Sequence, residues 1–180
     1  MSKLILISGD LASGKSSLAD SLSLRLNIPC FKKDEIKEHY VDKYGFKNRE
    51  ENRALSVKAV QFMIDALKRF LANNQDIILE ANFRQHELDE IDNIVKEHNC
   101  DVDFIILRGQ LDVLYERFLE RLPNRHIAHK SIHLEESLEK FSEYVLEQRT
   151  ANPPFIPFII DTTKLSNEEV FLKVLNYLKK

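Results

Sequence analysis

Residues 3–22 read KLILISGDLASGKSSLADSL, and this stretch decides how the chain folds. An apolar run, Leu4 to Ile7, stops at Ser8 and gives way to a loop holding Gly9 and Gly14, two of only four glycines in 180 residues. Lys15, Ser16 and Ser17 follow, and then Leu18, Leu22 and Leu26 recur every four residues. A short apolar run reads as a buried strand, and a four-residue recurrence reads as one face of a helix. Strand, glycine loop and helix follow one another directly.

The loop, Gly9-Asp10-Leu11-Ala12-Ser13-Gly14-Lys15-Ser16, fits the Walker A pattern G-x-x-x-x-G-K-[ST] without a gap. Gly9 and Gly14 let the backbone turn with its N–H groups facing inward. The stretch from Gly9 through Asp10, Leu11, Ala12 and Ser13 to Gly14 then makes a nest for phosphate. The helix starting near Gly14, with Ser17 in its first turn, adds its positive end. Lys15 is placed to reach the β- and γ-phosphates, and the Ser16 hydroxyl to ligate Mg²⁺. The expected ligand is a nucleoside triphosphate with its Mg²⁺.

Short apolar runs alternate with helical patterns along the rest of the chain. Strands are expected at Lys3–Ser8, Pro29–Phe31, Asp76–Glu80, Phe104–Leu107 and Phe155–Asp161, the last an edge strand because of Pro154 and Pro157. Helical stripes run through Val60, Met63, Leu67 and Leu71; through Leu111, Leu114, Phe118 and Leu122; and through Leu134, Leu138, Phe141 and Val145. A last helix starts near Ser166, with Glu169 placed for a capping box. This alternation predicts one α/β domain, a parallel sheet with helices on both faces. There is no internal repeat, low-complexity tract or linker.

Composition narrows the function classes. The net charge of −3 gives no general pull toward nucleic acid. No apolar run approaches the roughly 20 residues that span a bilayer. Cys30 and Cys100 fall in unrelated segments, which speaks against a disulfide framework and for a reduced, cytoplasmic protein. No N-K-x-D base-recognition motif of a GTPase switch is present, and the strand in "DIILEANF" ends in a single Glu80 rather than Asp-Glu.

Further segments carry a resemblance: "IPCFKKDEIKE", "IILEANF", "RFLERLPNR" and "FIIDTT", in this order after the Walker loop. The chain resembles the AAA-type small P-loop kinases of the nucleoside-monophosphate-kinase-like group. That group includes adenylate, shikimate and gluconate kinases, chloramphenicol phosphotransferase, zeta-toxin kinases and polynucleotide 5′-kinase domains. The resemblance implies a three-layer P-loop fold with a five-stranded parallel sheet in the order 2-3-1-4-5. It also implies a helical lid at about 117–133, an acceptor-side insertion at about 38–60, and ATP as donor.

Carried over residue by residue, the resemblance makes Asp34 the acid that takes the acceptor's proton. The plainer alternative is that Asp34 caps a helix starting at Glu35. Lys37 stands where nucleotide kinases tend to have an arginine, and without a bidentate fork it reads as a solvated lysine. Glu80 is placed to hold a magnesium-bound water or touch the acceptor, Asn82 to bind the acceptor and Arg84 to meet an anionic one. Arg117 and Arg121 are expected as lid arginines over the phosphates, while Arg125 lies beyond Pro123, where the helix is expected to end. His126, His129 and His133 read as a polar lid segment rather than a zinc site, with His126 or His129 near a phosphate. Thr162 belongs to the loop that passes the adenine.

The reading is an ATP-dependent kinase acting on a hydroxyl of a small molecule. Two alternatives stand beside it: a nucleotide-binding ATPase that regulates a partner, and a polynucleotide 5′-hydroxyl kinase. The acidic chain and the lack of an aromatic–basic platform count against the second.

Overall fold

Successive residues of the first strand point to opposite sides of the sheet, and this alternation organises two cores. In the computed structural model, which describes residues 2–130 and 133–179, the first strand β1 (Lys3–Gly9) lies at the centre. Its Leu4 and Leu6 face one core and its Ile5 and Ile7 the other, all at most 1% exposed. Along the chain follow α1 (Lys15–Leu26), β2 (Cys30–Lys32), α2 (Lys33–Tyr44), α3 (Arg49–Ala72), β3 (Ile77–Glu80), α4 (Gln85–His98) and β4 (Asp101–Arg108). Then come α5 (Leu111–Arg121), α6 (Leu138–Gln148), β5 (Pro157–Asp161) and α7 (Asn167–Leu178).

The five strands are parallel in the order β2-β3-β1-β4-β5, as expected. Helices α3 and α4 cover the Leu4–Leu6 face, and α1 and α7 cover the other. Both faces of the central strands are therefore apolar, which is why β1 and β3 read as unbroken hydrophobic runs. β4 is three residues longer at its start than expected. Asp101 and Asp103 are strand residues there, and Asp103 is paired with Lys3 at 3.0 Å. β5 begins at Pro157, on the edge, where a missing N–H costs no ladder bond.

With few glycines, several helices end on asparagine in the left-handed region, at Asn27 and Asn99. The capping box at Ser166 and Glu169 forms as expected. Helix α6 starts after Ser137, whose side chain accepts the Lys140 N–H, so Leu134 falls in a separate 3₁₀ turn.

Between α5 and α6 the described residues make three 3₁₀ turns, Leu122–Asn124, Ile127–His129 and Leu134–Glu136. Residues 131 and 132 of the expected lid lie outside the described residues. α5 and α6 form a hairpin around Leu114, Phe118, Phe141 and Val145, with the Phe118 and Phe141 rings 5.3 Å apart. Among the described residues no helix is long and apolar enough to cross a membrane.

Phe141 is fully buried at the centre of this hairpin. Replacing it with alanine should cost about 3 kcal/mol or more of unfolding free energy, read from the urea midpoint.

Candidate functional site

The glycine loop sits at the carboxyl end of β1, where ligands collect in open α/β sheets. Gly9 has φ 131°, and a Cβ on it would stand 2.0 Å from the Leu107 carbonyl oxygen, so only glycine allows β1 to approach β4 here. Asp10 N–H seals that approach by donating to Leu107 O at 2.8 Å. Gly14, with φ 94°, is the left-handed residue that starts α1. Ala12 also takes positive φ, 62°, and its methyl packs into the α5–α6 cluster. The Asp10 carbonyl is a node inside the loop: it accepts Ser13 Oγ at 2.7 Å and Lys15 Nζ at 2.6 Å.

Lys15 is buried, and burial pulls its pKa below the ordinary lysine value against the opposing pull of Glu80, Asp34 and Asp10. Glu80, at the end of β3, is 4% exposed, and burial pushes its carboxyl up, against the opposing pull of Lys15. The Ser16 hydroxyl donates to Glu80 Oε2 at 3.1 Å. A hydroxyl and a carboxylate, both hard oxygen donors, thus meet beside the loop lysine, and this donor set suits Mg²⁺.

Asp34 lies in the first turn of α2, which starts at Lys33 with Lys32 as its cap residue. Asp34 therefore does not cap the helix; it is exposed and faces the cleft. Lys37 is not solvated. It is buried and donates to the carbonyl of Ala128 at 2.8 Å, and Asn52 of α3 donates to the same oxygen at 3.0 Å. Ala128 itself is fully buried against Val41 and Leu55. The segment after α5 is thereby seated on α2 and α3. Its histidines take part: His126 Nε2 meets Asp42 at 3.0 Å, and His129 Nε2 meets Glu38 at 2.8 Å. His133 stands apart, near Glu135. The three do not share a helix face, and no metal-holding group of His, Cys, Asp and Glu occurs among the described residues.

These elements enclose one cleft of about 1350 Å³. Leu11 to Ser17 and Glu80 form one wall, and Asp34, Asn82, Arg84, Arg121 and Arg125 face it. The structure thus brings together nearly every expected residue, with exceptions. Gly9 does not line the cleft, being taken up by the approach of β1 to β4, and Asp10 turns its side chain away from it. Arg117 and Thr162 do not line it either: Arg117 donates to Thr162 O at 2.9 Å and Thr163 O at 3.2 Å, fastening the turn after β5 to α5. Four residues of helix set Arg117 about 6 Å behind Arg121. Arg125, past the helix end, does reach the cleft, its guanidinium 4.9 Å over the Phe118 ring. Burial pulls Arg125 below the usual arginine value, and among the described residues no carboxylate pairs with it within 4.0 Å. Asn82 Oδ1 is buried without a hydrogen-bond partner.

Sequence reading missed Arg149 and Tyr144. Tyr144 lines the cleft, and burial raises its phenol above the usual value. Arg149, at the end of α6, grips Asp10 with Nε–Oδ1 3.0 Å and Nη2–Oδ2 2.6 Å. The pair is 139 residues apart in sequence, and no local pattern announces it.

A family model described as an AAA domain matches residues 5–145. No functionally curated protein matches the chain. Among solved structures, a Chloroflexus aurantiacus protein provisionally described as a kinase is similar over 97% of both chains, with 25% identity and a TM-score of 0.80. The shikimate kinase of Aquifex aeolicus shares the fold at 17% identity and TM-score 0.64, over 98% of this chain and 96% of that one. A gluconokinase from Sinorhizobium meliloti does so at 16% and 0.62, over 98% and 91%.

Glu80 is a buried carboxylate retained at a cost to the empty protein. Because burial disfavours its charged form, Glu80→Gln should raise the thermal midpoint of the empty protein while weakening Mg²⁺-dependent nucleotide binding. Calorimetric melting and nucleotide titration with and without Mg²⁺ check both signs.

Proposed function

The chain belongs to the AAA-domain family, and from that premise we propose that it is a kinase moving the γ-phosphoryl group of ATP to a hydroxyl of a small-molecule acceptor. One observation carries this reading: the cleft that holds the glycine loop also holds a carboxylate, Asp34, within electrostatic reach of Lys15. A volume of about 1350 Å³ exceeds the roughly 300–1,000 Å³ of a single-ligand pocket, which favours two substrates side by side.

In this reading the loop N–H groups and the start of α1 bind the donor phosphates. Lys15, held against the Asp10 carbonyl, turns its charge toward the β- and γ-oxygens. Ser16 and Glu80 are the residues that would hold Mg²⁺, which when bound supplies neutralisation of the phosphate oxygens. Asp34 orients the acceptor hydroxyl and takes its proton as the new O–P bond forms and the bond to the β-phosphate oxygen breaks. Arg121 and Arg125 offset the charge that spreads over the transferring group and the leaving diphosphate. The side of the cleft lined by Arg125 and His129 keeps water from competing as acceptor.

Apart from the residues given to the donor and the transferring group, the cleft is lined by Lys33, Lys37, Arg49, Arg53 and Arg84 against Asp34, Glu50 and Glu147. This surplus favours an acceptor with negative charge of its own. The enclosure by α2, α3 and the lid segment favours a small molecule over a polynucleotide.

Lys15→Ala should abolish transfer. Asp34→Asn should lower turnover by about 10²–10⁴-fold, with ATP affinity kept within about twofold. A screen of hydroxyl-bearing metabolites, charged and neutral, for stimulated ADP release tests both. Undiminished turnover in Asp34→Asn would remove that residue from the mechanism, and ATP consumption that no metabolite stimulates would remove the kinase reading.

A further inference from the structure

A phosphate-binding loop that carries an aspartate poses a problem. Asp10 is the second residue of the Walker stretch, its side chain is 2% exposed, and its charge acts on Lys15. A carboxylate beside a nest built for polyanions repels what the nest must bind. Among residues 10–17, Asp10 alone is absent from the lining of the main cleft. It borders instead a small cavity behind the loop, shared with Asn82, Arg108 and Arg149.

Three hydrogen bonds hold it there. Arg149 clasps both carboxylate oxygens, at 3.0 and 2.6 Å, and the Gly109 N–H donates to Oδ2 at 3.0 Å. Arg149 Nη2 also donates to Gly109 O at 2.8 Å, which ties the clasp to the end of β4. Arg108 lines the same cavity but forms no ion pair with Asp10. Asp161, the last residue of β5, is the other acid that acts on Arg149 at longer range. The pairing matters for the loop because the Asp10 carbonyl is the node that holds Ser13 and Lys15. A side chain fixed on one side fixes the carbonyl on the other.

We propose that Arg149 is a positioning residue of the nucleotide site: its bidentate clasp neutralises Asp10 and turns the carboxylate away from the phosphate nest. The guanidinium also carries this constraint from α6, the second arm of the hairpin that bears the lid segment, into the glycine loop. The proposal rests on the reading that the loop binds a nucleoside triphosphate.

The test is a charge-compensation cycle on the full chain, read by fluorescence titration with a mant-labelled ATP in Mg²⁺. Arg149→Gln should weaken binding by about tenfold or more, because it leaves a buried carboxylate unpaired beside the phosphates. Arg149→Lys, which keeps the charge but loses the fork, should weaken it by about threefold. Asp10→Asn in the Arg149→Gln background should restore affinity to within about threefold of wild type, which a purely structural arginine would not permit. Where Arg149→Gln lacks a cooperative melt, the same cycle is run on Arg149→Met, which keeps the apolar stem and removes the charge, and recovery or its absence decides in the same way. Wild-type affinity in Arg149→Gln, or a double variant as weak as the single, overturns the role of Arg149. A wild-type protein that does not bind the probe overturns the nucleotide reading instead.

Discussion

A single backbone contact sets the scale of the site: the end of β1 lies so close to β4 that only a glycine at position 9 fits against the Leu107 carbonyl, and the next N–H bonds to that carbonyl at 2.8 Å. From this seat the chain must reverse and enter α1 at Lys15. The reversal turns backbone donors toward the cleft and carries Lys15 and Ser16 with them. Were the seat looser, the loop could relax outward and the node at the Asp10 carbonyl would dissolve. The apolar alternation of β1, with leucines to one core and isoleucines to the other, is what keeps the strand end immobile.

The cost of the site shows in its charges. Lys15 and Glu80 are both buried, and burial disfavours the charged form of each. They attract each other at longer range without forming a close ion pair, and this attraction only partly offsets burial. Such an arrangement is poorly suited to stabilising an empty protein and well suited to receiving phosphates and a divalent cation, which supply the missing counter-charges. The half-buried Arg125, resting on Phe118 without a carboxylate, is a further case of the same imbalance.

What the sequence makes legible is what depends on neighbours in the chain. Strand, glycine loop and helix could be read from residues 3–26 because periodicity and glycine placement are local properties. The strand order was legible only through family resemblance. Asp34 was singled out through the family resemblance, and Glu80 and Arg84 because they stand at the carboxyl end of a strand, where ligands collect; all three line the cleft. Lys37 was misread because its partner is a backbone carbonyl 91 residues away. Arg117 was grouped with Arg121 by spacing, yet one turn of helix separates a residue that binds the β5 turn from one that faces the cleft. Arg149 left no trace at all, since its value lies wholly in a contact with the loop. The α5–α6 connection, with its proline and short turns, similarly hid which of its residues point inward.

The seating of the lid segment on Ala128 has a consequence of a different kind. Lys37 and Asn52 both recognise a main-chain oxygen, which every residue type offers. The remaining requirement at position 128 is a small side chain that fits between Val41 and Leu55. A dock built this way reads the path of the backbone and ignores most of the letters along it. The seat itself thus tolerates change at most neighbouring positions, while Arg125, His126 and His129 are tied to their identities by contacts of their own. On the kinase reading proposed above, acceptor preference can then be retuned through the side chains not so tied, without rebuilding the domain that carries them.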